Sequence, residues 1–84
     1  RSSDLDTLHQ LLHYDKEHGT ELYETLKTYL MNERNSTLTA QLLKINRSTL
    51  PHRLNRITQL TGANLDDFMT RLYLMMGFYI LDYI

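Results

Sequence analysis

Apolar positions along this chain recur at spacings of three and four, and nowhere do they alternate with polar ones cleanly enough to suggest a strand. A first helix carries Leu5, Leu8 and Leu12 on one face, with Ser2 or Ser3 available to cap it. The pattern breaks at "YDKEHG", with Gly19 at the break. A second helix follows, with Thr20 as its N-cap, Glu21 and Glu24 near its positive end, and Leu22, Leu26, Tyr29 and Leu30 as its buried stripe. Asn32 and Asn35 mark its exit. Ser36 or Thr37 caps a short third helix over about 38–43, and "KIN" follows as a tight turn. The fourth helix is expected over about 47–60, ended by "TGAN" with Gly62 in the left-handed C-terminal position. The fifth begins near Asp66, in an acidic first turn, and runs to the end of the chain. The expectation is an all-α fold of about five helices in a small bundle.

The third and fourth helices, residues 37–61, have the layout of a helix-turn-helix. On a wheel at about 100° per residue, Leu50, Leu54, Ile57 and Thr61 fall on one side of the fourth helix. Ser48, His52, Asn55 and Gln59 lie opposite, flanked by Thr49 and Arg56. The buried stripe is narrow, and the far face is cationic and rich in hydrogen-bonding groups. Such a second helix fits the DNA major groove and presents its N-terminal residues to base edges. Small Ala40 would let the two helices cross closely, and Ile45 would plug the space between them. Lys44 stands where this turn often has glycine. Pro51 is tolerable only in a first turn, where its missing amide would lack a partner anyway. The regular helix should therefore start late, capped by Arg47 or Ser48, with an end that favours phosphate. The bland alternative is an ordinary helical hairpin with a wet cationic face.

Charge sharpens this picture. The chain's formal net charge is −1, but it is unevenly spread. Residues 1–33 hold three basic and seven acidic side chains, 3 − 7 = −4. Residues 34–65 hold Arg34, Lys44, Arg47, Arg53 and Arg56 and no acid, +5. Residues 66–84 hold Arg71 against Asp66, Asp67 and Asp82, 1 − 3 = −2. A basic segment between acidic ones is the sequence signature of a phosphate-facing surface.

The remaining composition mostly excludes. The 84 residues suit one small domain, and 42% apolar content suits a folded globule. With no cysteine there are no disulfides and no thiolate chemistry, and a reducing cytoplasm is a comfortable setting. The longest apolar run, residues 72–81, is ten long and contains Gly77. That falls short of the ~18–20 residues a membrane helix needs. No signal peptide is recognisable. The chain begins at Arg1 without methionine and reads as a fragment of a longer protein. His9 and His13 have the i, i+4 spacing that can grip a metal, with Asp15 and His18 close behind. No HExxH pattern accompanies them and no third ligand is fixed in space, so no metal is expected. No glycine-rich phosphate loop, nucleophile elbow or paired acids appear, and neither an enzyme nor a cofactor is expected.

The stretch "TAQLLKINRSTLPHRLNRITQLTGANLDD" resembles the C-terminal DNA-binding domain of bacterial transcriptional regulators of the PucR and CdaR type. The resemblance is carried by Thr39-Ala40, Ser48-Thr49-Leu50, His52-Arg53-Leu54, Arg56-Ile57 and Leu60-Thr61-Gly62. Upstream, "LLHYDKEHGTELYETLKTYL" resembles the same family's Tyr-Asp…His-Gly-Thr segment, so the likeness covers nearly the whole chain. Ser48 stands where the family usually has Asn, His52 where it has Tyr, and Pro51 is unusual. "INRSTL" also resembles the Fis-type helix-turn-helix. That resemblance implies that Asn46 and Arg47 reach bases while Thr49, His52 and Arg53 lie near the backbone.

Chemistry supplies matching roles. Arg47 can fork two hydrogen bonds to guanine. Asn46 and Ser48 are short readers or caps. Thr49, Arg53, Arg56 and Lys44 suit phosphates, which set register rather than sequence. Arg53 borders the buried stripe, so a structural ion pair is its alternative role. His52 is a neutral donor or gains a proton near phosphate. Arg34 is as readily plain surface. Tyr14, Asp15 and His18 are read as an inter-helix corner.

The last helix is apolar nearly all round, which means either a central core helix or an interface through Phe68, Leu72, Met76 and Tyr79. The expected whole is a DNA-binding domain over residues 1–84, from a cytoplasmic homodimeric regulator whose N-terminal sensor domain lies outside this chain. The alternative is a helical interaction module that does not read DNA.

Overall fold

Five helices form in a computed structural model that describes residues 4–84: α1 (Asp4–His18), α2 (Leu22–Met31), α3 (Ser36–Leu43), α4 (Thr49–Thr61) and α5 (Phe68–Tyr83). No strand occurs among the described residues, and the all-α bundle expected from the sequence is what the chain adopts. Helix α2 is the hub, packing against each of the other four, while α1 also packs on α4 and α5. The core joins Leu8 and Leu11 of α1, Leu22, Tyr23, Leu26 and Leu30 of α2, Ile57 of α4, and Leu74 and Phe78 of α5. Tyr23 and Phe78 meet edge to face, with centroids 5.4 Å apart.

Several local expectations need correction. "YDKEH" does not break α1; the helix continues to His18 and ends at Gly19, whose φ is +66°. The helices packed on α1 bury an arc through Thr7, Leu8 and Leu11, which leaves Leu12 exposed at its edge. Ser2 and Ser3 lie outside the described residues.

The caps also move. Asn35, in an extended conformation, caps α3 by accepting from Leu38 N at 3.0 Å, in place of Ser36 or Thr37. Asp67 caps α5 by accepting from Thr70 N at 2.9 Å, so α5 starts two residues later than expected.

Thr20 is not the cap of α2. That role falls to Asp15, one turn before the end of α1. Its carboxylate accepts from Leu22 N at 2.8 Å and Tyr23 N at 2.9 Å, and from the Thr20 hydroxyl at 2.6 Å. A negative group at a helix N-terminus satisfies orphan amides and meets the positive end of the helix dipole. Tyr14 and His18 stack beside it, with centroids 4.1 Å apart. The expected inter-helix corner is therefore present, built around one carboxylate.

The first half of α2 is also tied to α5. The Tyr23 hydroxyl donates to Asp82 at 3.0 Å and Lys27 Nζ donates to Asp82 at 2.8 Å. Burial first, and then Asp82, push the Tyr23 phenol up to about 12. The Lys27 hydrogen bond holds the Asp82 carboxyl below its ordinary value. Gly77 allows α5 to lie close on α1, since a Cβ there would stand 2.7 Å from Leu8 Cδ1.

The capping geometry gives a prediction. Asp15→Ala removes the acceptor of two backbone amides and should cost about 2 kcal/mol. For a domain this size that lowers Tm by about 10 °C, read by circular dichroism. Asp15→Asn keeps one acceptor oxygen and should recover part of the loss.

Candidate nucleic-acid interface

The turn between α3 and α4 is built from the backbone upward. Lys44 takes the left-handed conformation, φ +58°, so the position that often holds glycine is filled by a lysine under strain. Its amide bonds back to Gln41 O at 3.2 Å, and Ile45 N reaches Ala40 O at 3.0 Å. This closes the last turn of α3 in the manner of a Schellman cap. Ile45 is half-buried and Ala40 buried. The chief packing partner of α3 is α2 rather than α4, so Ala40 does not serve the close α3–α4 crossing expected of it.

Asn46 then starts α4. Its side-chain oxygen accepts from Ser48 N and from Ser48 Oγ, both at 3.1 Å. Two tight bonds follow, Thr49 N to Asn46 O at 2.9 Å and Leu50 N to Arg47 O at 3.4 Å. Ser48 occupies the N-cap position but makes no side-chain cap bond, so the capping work expected of Arg47 or Ser48 belongs to Asn46. Pro51 sits third in the helix, where its absent amide needs no partner. The late helix start inferred from Pro51 is therefore observed. The end of α4 closes at Gly62, φ +71°, and the Gln10 side chain holds Leu60 O at 2.6 Å.

Along α4, Leu50 and Ile57 are buried, Leu54 and Thr61 half-buried, and Ser48, His52, Asn55, Arg56 and Gln59 exposed, as the wheel predicts. Arg53 is different. Its guanidinium turns onto α2, donating to Thr25 Oγ1 at 3.0 Å and standing 3.8 Å from Glu21 Oε1. Thr25 is fully buried and its hydroxyl also donates to Glu21 O at 2.7 Å. Of the two roles open to Arg53, the geometry supplies the structural bond. It pins the roll of α4 on the hub helix.

The +5 segment thus divides. Arg53 turns toward Thr25 and Glu21 of α2, and Arg34 stands 3.6 Å from Asp66. Lys44, Arg47 and Arg56 are exposed and have no ion-pair partner among the described residues. Lys44 and Arg47 flank the N-terminal end of α4, and Arg56 lies two turns along its outer face. Thr49 is half-buried beside them, and His52 lies on the exposed face. Sequence reasoning missed the clip made by Thr25 and Glu21, because nothing local marks a contact spanning 28 residues. It left Asn46 open as a base reader or a cap, and the tendency of an asparagine side chain to bond the backbone two residues on is the local signal for the second.

His9 and His13 do not converge with a third ligand. No group of three metal-binding side chains occurs among the described residues, and His13 lies 3.3 Å from Glu17. No helix among them is long and apolar enough to cross a membrane.

Two helices joined by a tight turn, the second opening on an exposed cationic end, define a helix-turn-helix DNA-binding domain of the kind used in transcription regulation. The chain belongs to the family of PucR C-terminal helix-turn-helix domains, which it matches over residues 22–80, from the start of α2 to near the end of α5. It is 42% identical over 57 residues to the proline-responsive transcriptional activator PutR of Bacillus subtilis (strain 168), covering 68% of this chain and 14% of that protein. It is 34% identical over 59 residues to the DNA-binding transcriptional activator AdeR of the same strain, covering 70% of this chain and 14% of AdeR. An uncharacterised protein of Haemophilus influenzae is 36% identical over 61 residues, 73% of this chain and 17% of that protein. The chain therefore spans about one seventh of the length of the two Bacillus relatives. No solved structure matches it significantly.

Two predictions follow from the site geometry. Lys44→Gly removes left-handed strain and should raise stability by about 0.5–1 kcal/mol. The same change should weaken DNA binding, so calorimetry and fluorescence anisotropy are expected to move in opposite directions. Arg53→Gln should lower Tm while leaving the salt dependence of binding unchanged. Arg56→Gln should leave Tm unchanged and reduce the slope of log K against log salt by about 1. A slope that falls with Arg53→Gln would show that Arg53 leaves α2 for a phosphate.

Proposed function

We propose that the domain binds specific DNA sequences by laying α4 in the major groove, N-terminus first, on behalf of a bacterial transcriptional regulator. The observation that carries this reading is the division of labour at the start of α4. Asn46 and Arg53 are spent holding the helix, while Lys44, Arg47 and Arg56 project unpaired from it. Arg47, at the very start, is the base reader, forking to guanine O6 and N7 for about 1–3 kcal/mol of discrimination. Lys44 and Arg56 hold phosphates on either side. Ser48 and Thr49 offer hydroxyls at an end whose dipole favours a phosphate. His52, on the same exposed face, offers a ring nitrogen to the DNA backbone.

The role is one of binding rather than catalysis. The transcriptional activators PutR and AdeR, each about seven times longer than the matched region, support a whole protein in which a sensor domain precedes this one. The setting that fits is the bacterial cytoplasm, and the assembly that fits is a homodimer reading two half-sites about one DNA turn apart.

A second reading, a helical interaction module that does not read DNA, draws on the exposed apolar side of α5. Salt separates the two. DNA binding weakens steeply as counterions are released, whereas an apolar contact barely responds. The deciding experiment is selection from a random duplex pool at moderate salt with this chain and its Arg47→Ala variant. An enriched motif that loses a guanine preference in the variant is the expected result. Equal weak retention without enrichment by both proteins would overturn sequence reading by this domain.

A further inference from the structure

Asn46 holds the start of α4 with its side-chain oxygen alone. A side-chain amide carries an acceptor oxygen with two lone pairs and a nitrogen with two donor hydrogens. The oxygen accepts from Ser48 N and from Ser48 Oγ, both at 3.1 Å, so one residue fills both lone pairs. A backbone amide only donates, which fixes the oxygen, and not the nitrogen, as the atom turned to Ser48. The Asn46 nitrogen has no partner among the described residues, and Asn46 is exposed beside Arg47. Ser48 is exposed too, and its hydroxyl proton is committed to Asn46.

Free polarity decides what an asparagine reads in DNA. Its usual pairing is with adenine, where the nitrogen donates to N7 while the oxygen accepts from the N6 amino group. That fork needs the oxygen that Ser48 occupies. We infer that Asn46 reads its base as a donor alone, and that Ser48 is the positioning residue that fixes this polarity. The inference rests on the placement of α4 in the major groove proposed above. The base facing Asn46 must then offer acceptors. Guanine offers O6 and N7, thymine and adenine one acceptor each, and cytosine only its N4 donor. Arg47 and Lys44 also carry donors alone. The mouth of α4 is thus matched to an acceptor-rich edge. Guanine faces Arg47, and at the position of Asn46 guanine is preferred over cytosine by about 10-fold.

Asn46→Asp tests the polarity directly. Aspartate caps a helix as well as asparagine, and one of its oxygens can accept from Ser48 as Asn46 does, so helical circular dichroism and Tm should hold. Its second oxygen puts an acceptor where Asn46 has donors. In selection from a random duplex pool, the guanine read by Arg47 should persist. One further position should invert from guanine to cytosine, whose N4 amino group an aspartate accepts. The added negative charge weakens binding to every duplex alike, so the readout is the ranking of bases, taken at low salt. Ser48→Ala frees one lone pair of Asn46, and adenine should rise at that same position. Ser48→Thr keeps the hydroxyl and should restore guanine. A loss of affinity in Ser48→Ala with the ranking unchanged would make Ser48 a structural cap and overturn the polarity argument. Adenine ranked first by the unaltered chain, or a ranking that Asn46→Asp leaves as it was, would overturn the inference while the Arg47 motif stands. An unaltered chain that enriches no motif would remove the groove placement, and this inference with it.

Discussion

The carboxylate of Asp15 decides where α2 begins, and α2 is the helix on which everything else is packed. A ten-residue helix is marginal in water by itself, because its nucleus is costly and its terminal amides are unsatisfied. Asp15 supplies the missing acceptor from a neighbouring helix, which joins the direction of α1 to that of α2 in one contact. From there the constraints propagate outward. Leu22, Leu26 and Leu30 bury against α1 and the rest of the core, Thr25 receives Arg53 from α4, and Tyr23 and Lys27 grip Asp82 of α5. The reading helix and the apolar helix are therefore oriented by two faces of the same short element.

Features that depend on local chemistry were legible in the sequence. The five helices, the left-handed closure at Gly62, the late start forced by Pro51 and the polar face of α4 all follow from spacing and backbone preference. The features that were misjudged depend on contacts between distant residues. "YDKEH" looks like a break because its residues are polar, yet α1 continues through it to His18, where Asp15 caps the next helix. Thr20 looks like a cap because of its type, but its hydroxyl is turned to Asp15 instead. The sequence set Arg53 at the border of the buried stripe and left a structural bond and a phosphate contact both open to it. Only the arrival of Thr25 and Glu21 separates a positioning residue from one that faces outward.

That separation changes the electrostatic argument. Counting charges along residues 34–65 yields +5, and a phosphate surface of that strength would predict a steep salt dependence. With Arg34 and Arg53 facing acids, the free charge on the reading edge is closer to three, from Lys44, Arg47 and Arg56. A smaller, more localised charge weakens non-specific attraction to any duplex. Lys44 shows the same economy. Glycine would relax the turn but remove the cation that Lys44 places at the mouth of α4.

Composition alone could not place α5. A helix apolar all round is ordinarily buried all round, and an 84-residue chain with four other short helices cannot surround a sixteen-residue one. The bundle covers only half of it. Each large apolar side chain left in water forgoes about 1.5–3 kcal/mol that burial would provide, a substantial loss for a domain whose whole stability is about 5–15 kcal/mol. The polar clamp at Asp82 and the close approach at Gly77 fix the rotation of α5 on the core, so the uncovered half is a defined surface and not a consequence of loose packing. An apolar face on α5 and a cationic end on α4 are thus both set by packing on the same short helix.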